Sequence, residues 1–578
     1  MSQAKKIIRR EISGTLDHLK HLSPILRRIY GARNVTTAEE LSRELKSLES
    51  FASLKGIHDA THRLERALRE QQHLLIVGDF DADGATSTAL AVSALQSFGA
   101  KHVSFVIPNR FEYGYGLTPE IVDVAKKKNP DLIITVDSGI ASNAGVEHAN
   151  QLGIEVIVTD HHLAGATLPP ASAIVNPNQP GDEFPSKYLA GVGVIFYVML
   201  ALRSHLNDVH WFEDNKLPCP NMAQFLDLVA LGTIADVVPL DLNNRVLIHQ
   251  GLQRIRAGQA RPGIQALLQV SGKHFENLRA TDLAFAVGPR LNAAGRLDDM
   301  KLGVICLLAE DINTALGLAH ELDDLNKERR VIETQMQQEA AKAVDQLKLD
   351  KKLPYGICLY DDAWHQGVVG LVASRIKEKV HRPVIAFAKT DDDTLKGSAR
   401  SVPGLHICNL LDAVATKNPS LVSKFGGHAM AAGLSLPVQN FEAFSEAFAS
   451  EIGEHLSEED LQPRLLSDGE LSTGELRLEV AEMLRDAGPW GQGFPEPIFD
   501  GNFKLIGQRI VGQRHLKLIL QLPGSDHYLD GIAFHVNLND WPNFHCDNVR
   551  LAYRLDINEY QGRRKLQLLV EDIQPLTT

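Results

Sequence analysis

Asp79, Asp81 and Asp83 alternate with other residues in GDFDADG, at the end of the apolar run HLLIVGDF (73–80). Asp137 closes a second such run in DLIITVDSG (131–139), and Asp160, His161 and His162 close a third in IEVIVTDHH (154–162). Carboxylates held close together raise one another's pKa and do not all stay ionised unless cations lie between them. Oxygen donors with one or two imidazoles and no thiolate suit Mn²⁺ or Mg²⁺ better than zinc. Two such ions activate water and stabilise the leaving oxygen of a phosphoryl transfer. DFDADG also matches the start of a calcium loop, but the bidentate Glu required at loop position twelve falls on Leu90. Asp83 alone would serve as the N-cap of a following helix, which is compatible with a metal role. A single acid at a strand end is usually structural; three strand ends carrying acids, one with two histidines, point to a site.

The elements around these residues alternate. A helix over 85–99 is closed by Gly99, HVSFVIP (102–108) is a second strand, helices lie near 119–128 and 142–152, and SAIVNP (172–177) is a fifth strand. Short turns and strands apolar throughout predict a parallel sheet covered on both faces. Ligands bind such sheets beyond the carboxyl ends of the strands, where all of these acids would meet.

The remainder divides by pattern. Residues 1–70 read as an N-terminal helical segment, with apolar steps of three and four in LSPILRRIYGARN and AEELSRELKSLESF. The acid-bearing α/β domain takes 71–310. Leu318 to Leu353 contains neither Gly nor Pro, and its stripe of Leu318, Leu322, Leu325, Ile332, Met336, Ala340, Ala343 and Leu347 fits either a helix packed on one domain or a rigid connector over 311–353. A smaller α/β domain fits 354–455. After GPWGQGFPEP (488–497), which reads as a domain entrance, five β-like runs suggest a C-terminal OB-type barrel within 456–578.

Composition excludes several classes. With 44% hydrophobic and 23% charged residues the chain buries a core and is not disordered. The longest apolar run, Leu189–Leu202, is too short to cross a bilayer, and the N-terminus lacks the apolar region of a secretory signal. Five dispersed cysteines without C-x-x-C argue against a disulfide scaffold and a thiolate zinc site, and favour the cytoplasm. The net charge of −13 hides an uneven distribution, because the last 76 residues hold slightly more basic than acidic residues.

GDFDADG, VDSG, TDHH and LGTIADVVPL (231–240) together resemble the motifs of the DHH phosphoesterase superfamily. GPRLNAAGRLDD (288–299) resembles one branch of it, the RecJ single-strand-specific 5′→3′ DNA exonucleases, and WHQGVVGLVASRI (364–376), GSARS (397–401) and FGGHAMAAG (425–433) resemble that branch's DHH-associated domain. The resemblance runs from about residue 20 into the barrel. It implies two divalent cations, Mn²⁺ or Mg²⁺, held by Asp81, Asp83, Asp137, His161 and Asp236, with Asp137 bridging. Asp79 and Asp160 would ligate or orient, and His162 would contact the scissile phosphate or protonate the leaving group. Ser398, Arg400, Gly426, Gly427 and His428 match the branch's binding motifs, in a cleft facing the metals. Arg290, Asn292 and Arg296, read as lying on a loop, are candidates for the terminal phosphate, and Arg110 for the sugar-phosphate track. Phe111, Tyr113 and Tyr115 are possible stacking platforms, though such aromatics are more often core.

On the barrel, Arg509, Arg514, Lys517, Arg550, Arg554, Arg563, Arg564 and Lys565 interleave with Tyr528, Trp541, Tyr553 and Tyr560, which suits a single strand or is simply a solvated face. The expected function is a metal-dependent exonuclease releasing mononucleotides from 5′ ends of single-stranded DNA in repair and recombination. No G-x-x-x-x-G-K-[ST] occurs, so duplex substrates would need a separate helicase. Contact with single-strand-binding protein is also implied, and a single self-contained cleft suggests a monomer. Two alternatives remain at this level. A phosphoesterase for short oligonucleotides or small esters would need neither connector nor barrel. A non-catalytic scaffold would be expected to have lost some of the acids.

Overall fold

The computed structural model describes residues 5–12, 15–109, 112–350, 353–390, 393–522, 524–538, 540–560 and 562–576. It divides into a first unit, Ser13–Asn326 with Asp486–Glu496, and a second, Met1–Ile12, Lys327–Arg485 and Pro497–Thr578. The segment expected to be helical over 1–70 is so only in part. Lys6–Arg9 forms a strand, β1, with two β-branched isoleucines, and belongs to the second unit. Helices form at α1 (Pro24–Gly31), capped by Ser23, and α2 (Ile57–Arg69). AEELSRELKSLESF instead breaks into single turns at Glu39–Leu41, Leu45–Ser47 and Phe51–Ser53. Its serines compete with the helix for hydrogen bonds: the Ser42 and Ser47 hydroxyls meet at 2.6 Å, and Ser50 Oγ accepts from the Ala52 N–H.

The acid-bearing segments lie on a parallel sheet of β2 (Leu74–Gly78), β3 (Val103–Val106), β4 (Leu132–Val136), β5 (Glu155–Thr159) and β6 (Ala173–Val175), in the order β3-β2-β4-β5-β6. β2 and β4 are buried along their whole length, which is why they are apolar on both faces. Successive strands are added toward one edge from β2 and toward the other from β4. The order therefore reverses between β2 and β4, and a crevice opens at their carboxyl ends. The crossover helices are α3 (Ala82–Ser97), α4 (Pro119–Lys126) and α5 (Asn143–Gln151). α3 is built from Ala, Ser, Thr and Gly at its crowded positions and packs against α6 (Gly191–Asp208) and α7 (Leu226–Ala235). The run 189–202 thus becomes a buried core helix, and among the described residues no helix is long and apolar enough to cross a membrane. A helix α8 (Gly288–Leu297) follows a π-helical turn at Leu283–Val287.

Asp486–Glu496 belongs to this first unit although its flanks do not. Trp490 stacks on Phe494 with ring centroids 5.2 Å apart. The Tyr30 hydroxyl donates to the Ala487 carbonyl at 2.8 Å, Arg33 Nε donates to the Pro495 carbonyl at 2.8 Å, and the Leu240 N–H donates to the Gln492 carbonyl at 2.7 Å.

The helix α9 (Ile312–Asp350) is unbroken over 39 residues. It contributes buried Ala315, Ala319 and Leu322 to the first unit and buried Met336, Ala340 and Val344 to the second. In the second unit β7 (Ile357–Tyr360), β8 (Val384–Lys389), β9 (Thr394–Arg400), β10 (Lys424–Gly427) and β11 (Ala431–Pro437) form a sheet ordered β10-β11-β9-β8-β7. It carries α10 (Val369–Val380), α11 (Ile407–Lys417) and α12 (Phe441–His455) over a core that includes Phe387, Phe444 and Phe448. β12 (Arg464–Ser467) pairs in parallel with β1. The last five strands, β13 (Phe499–Val511), β14 (His515–Gln521), β15 (Tyr528–Ala533), β16 (Asn548–Tyr560) and β17 (Arg563–Pro575), close a barrel in the order β13-β14-β15-β17-β16. Register shifts leave Ile506 of β13 and, opposite Ala552/Tyr553, Glu571 of β17 as extra residues, and give β13 and β17 the local curvature that closure requires.

Candidate active site

Each acid reaches the crevice by a different local device. Asp81 is the N-cap of α3, its Oδ1 accepting from the N–H groups of Asp83 at 2.9 Å and Gly84 at 3.0 Å. The capping role considered for Asp83 therefore belongs to Asp81. Asp83, in the first turn, is gripped from the far side by the first amides of α6: Gly191 N–H donates to Oδ2 at 2.6 Å and Val192 N–H to Oδ1 at 2.9 Å. Asp137 leaves β4 with φ 61°, a left-handed conformation unusual outside glycine. A Cβ on Gly191 would lie 2.6 Å from that of Asp137, so only glycine fits at the head of α6. Asp236 ends α7, and the next residue, Val237, also has φ 61°. Backbone held this way costs on the order of 1–3 kcal/mol per residue and tends to cluster at functional sites.

These devices bring the groups together. Ligand atoms of Asp79, Asp81 and Asp137 lie within 4.8 Å of one another, as do those of Asp83, His161 and Asp236, and those of Asp137, His161 and His162. His161 Nε2 is 3.1 Å from Asp137 Oδ1 and 3.6 Å from Asp236 Oδ2. Asp137 Oδ1 is buried and receives no hydrogen bond from any described residue. Burial, and then the charge of Asp81, push the Asp83 carboxyl up to about 7. Burial and the neighbouring carboxylates, Asp83 foremost, push Asp137 and Asp236 well above the ordinary range. So much negative charge in one dry place requires cations, and oxygen donors with one imidazole fit Mn²⁺ or Mg²⁺.

Asp160 and His162 form a separate pair beside this cluster. Asp160 is fully buried and accepts from the backbone N–H groups of Ile140, His161 and His162 and from His162 Nδ1, the last at 2.7 Å. Burial pushes Asp160 up, but the hydrogen bond and charge of His162, the charge of His161 and the Ile140 N–H together hold the carboxyl low. Burial pushes His162 down, and the Asp160 carboxylate outweighs that and raises it. The imidazole is therefore held ready to carry a proton. Tyr115 completes the group, its hydroxyl 3.0 Å from His162 Nδ1 and 3.2 Å from the Asp137 carbonyl. The sequence suggests either a stacking platform or a core aromatic for Tyr115, because its place in the second crossover does not reveal where a hydroxyl points.

The residues expected to bind phosphate are placed as follows. Arg290, Asn292 and Arg296 lie on α8 rather than on a loop, because Pro289 is compatible with a helix start and does not break it. Gly295 lets α8 approach the Phe80 carbonyl, which a Cβ would meet at 1.8 Å. Asn292 Oδ1 accepts from the Ala82 N–H at 2.8 Å and so braces the acidic turn. Arg290 pairs with Asp323 at 2.7 Å, and Arg296 is half-buried. Arg110 and Phe111 lie outside the described residues, and Tyr113 packs against the apolar core of the sheet.

In the second unit, Arg400 Nη1 donates to Ser398 Oγ at 2.9 Å, and both side chains lie over Gly370 in the first turn of α10, where a Cβ would meet Arg400 Nη2 at 2.7 Å. α10 has no side-chain cap, but the Val369 and Leu371 N–H groups donate to the His365 and Val368 carbonyls, so it is the guanidinium and the hydroxyl that suit a phosphate here. Gly426, Gly427 and His428 are exposed at the β10–β11 turn, and Gly427 has φ 151°.

On the barrel, Arg550, Arg554, Lys517 and Arg564 are engaged by Asp500, Glu571, Asp530 and Glu559. Trp541 and Tyr553 are core, whereas Tyr528 is exposed. The buried Asp500 also binds Arg9 and Ser467. Against burial, which raises it, those bonds hold it down at about 2, so Arg550 is structural.

Comparison with known proteins finds the same domains in a known family. Residues 73–233 match the DHH family, N-terminal domain, 351–454 the DHHA1 domain, and 467–572 the RecJ OB domain. Over 577 residues the chain is 54% identical to a single-stranded-DNA-specific exonuclease RecJ of Salmonella typhimurium, covering 100% of both chains. The crystal structure of RecJ from Thermus thermophilus in complex with Mn²⁺ matches 100% of this chain and 80% of that one, with a TM-score of 0.80 at 29% identity. The Mg²⁺ complex from the same organism matches 100% and 79%, with a TM-score of 0.74 at 27% identity.

Proposed function

The chain belongs to the RecJ family of single-stranded-DNA-specific exonucleases, and from that premise we propose how its own residues perform the reaction. It is a metal-dependent exodeoxyribonuclease that hydrolyses single-stranded DNA from 5′ ends to mononucleotides, in repair and recombination. The observation that carries this reading is the meeting of Asp79, Asp81, Asp83, Asp137, His161 and Asp236 at the reversal point of a parallel sheet.

Two divalent cations, Mn²⁺ or Mg²⁺, supply charge for the phosphate and acidify the attacking water when bound. Asp81, Asp83, Asp137, His161 and Asp236 would hold them, with Asp79 alongside. The α6 amides fix Asp83, and Asn292 fixes the turn that carries Asp81. His162, charged by Asp160, faces the scissile phosphate and gives its proton to the leaving oxygen. Tyr115 orients that imidazole. Tyr115→Phe removes one hydrogen bond to it, and kcat is expected to fall about fivefold, the weight of roughly 1 kcal/mol, with KM little changed in a steady-state nuclease assay.

Ser398, Arg400 and the Gly426–His428 turn receive backbone phosphate, and Arg290 and Arg296 serve the terminal phosphate. Phosphate contacts carry no base information, so little sequence preference follows. Arg400→Ala is expected to raise KM roughly 10–100-fold, as loss of a charge-assisted bond does, and to flatten the salt dependence of DNA binding in fluorescence anisotropy. The enzyme works in the cytoplasm as a monomer, takes duplex substrates through a separate helicase, and meets single-strand-binding protein on the DNA. The test of the whole reading is digestion of one single strand labelled at either end, with and without Mn²⁺. Mononucleotides released first from the 5′ label, and only with metal, are expected; preference for dinucleotides over long strands would overturn it.

A further inference from the structure

A second group of donor side chains lies away from the crevice. His62 and Glu65 are three apart on α2 and so share one face of that helix. His205 is in the last turn of α6, which packs against α2. Ligand atoms of the three lie within 4.8 Å of one another. His205 Nε2 is 2.6 Å from Glu65 Oε2, and the His62 ring meets the His205 ring edge-on at 4.7 Å between centroids.

The other oxygen of Glu65, Oε1, accepts from Arg69 Nε at 2.7 Å, and Arg69 is itself set over the Trp211 ring at 5.4 Å. One carboxylate oxygen is thus anchored from outside while the other faces two imidazoles. Ligating carboxylates are commonly braced in this way. Both helices are rigid elements of one core, which makes the triangle a fixed one.

We propose that His62, Glu65 and His205 form a separate cation site for a borderline transition ion of the zinc class, distinct in chemistry from the catalytic centre. Two imidazoles and one carboxylate are the donors zinc takes with a fourth position left to water, and Mg²⁺ has little affinity for such a set. The bound ion replaces the proton shared between His205 and Glu65. It clasps α2 to the C-terminal turn of α6, the helix whose first amides hold Asp83.

The test uses the full chain with its catalytic centre saturated by Mg²⁺. Co²⁺ is titrated in and followed by its visible absorption, and Zn²⁺ is then added for thermal melting. The wild type is expected to show a Co²⁺ equivalent that Asp137→Asn retains and that His62→Ala and His205→Ala each lose, weakened by more than the roughly 10–100-fold that loss of an outer-shell partner costs. Zn²⁺ is expected to raise the melting temperature of the wild type but not of either variant. The side chain of His62 is 66% exposed, so its removal leaves the fold intact. A His62→Ala protein that titrates as the wild type does, or a wild type whose only Co²⁺ equivalents vanish in Asp137→Asn, overturns the proposal.

Discussion

Asp137→Asn is expected to lower single-turnover cleavage of single-stranded DNA by at least about 10³-fold, while the metal-free protein melts at a higher temperature than the wild type. Both effects come from one cause. Asp137 sits among Asp79, Asp81, Asp83 and Asp236, buried, with an oxygen that accepts no hydrogen bond from any described residue. Asparagine keeps the shape but removes the charge with which Asp137 would help to hold the proposed cations. Without metal that charge only repels its neighbours, so losing it relieves the fold. Activity and stability should therefore move in opposite directions. A variant that still cuts, or that melts lower in chelator, would show that Asp137 has a different role.

Stripped of cations by a chelator, the protein is expected to lose stability as the pH rises, the reverse of the usual acid denaturation. The sign follows from the direction of the shifts. A carboxyl raised in the folded state binds more protons there than when unfolded, so its contribution is fully present below about pH 4 and is lost as pH climbs through the folded value. For Asp83 that value is about 7. A rise from 3.8 corresponds to on the order of 4 kcal/mol at alkaline pH for this one group, and Asp137 and Asp236 shift in the same direction. Added Mn²⁺ competes with those protons, so its stabilisation should grow with pH. Melting curves between pH 5 and about pH 8.5, with chelator and with Mn²⁺, would check this; parallel curves would mean that the acids are not coupled through the site.

Much of this centre could be read in the sequence because its acids stand at the ends of short apolar runs, and a parallel sheet sends all such ends to one edge. The barrel was legible for a similar reason, since closely spaced alternating runs have few other solutions. What escaped were partnerships set by distant segments. Nothing near Asp83 announces that amides 108 residues away will hold it, and nothing in KIIR foretells a partner strand at Arg464–Ser467. Local chemistry also misled. GPRLNAAGRL reads as punctuation, yet Pro and Gly there serve a helix start and a close backbone approach. Ser42 and Ser47 bond to each other, and Ser50 to a nearby backbone N–H, instead of supporting a helix.

The return of Asp486–Glu496 to the first unit bears on how this enzyme can be trimmed. A recombinant nuclease core cut between the α12 sheet domain and the barrel would look sensible on the page but would remove Trp490 and Phe494 from their seat on Tyr30 and leave the Leu240 N–H, four residues beyond Asp236, without its acceptor. A minimal version therefore has to graft those eleven residues back or supply them as a peptide, and transplanting the barrel between relatives has to respect the same borrowed stretch.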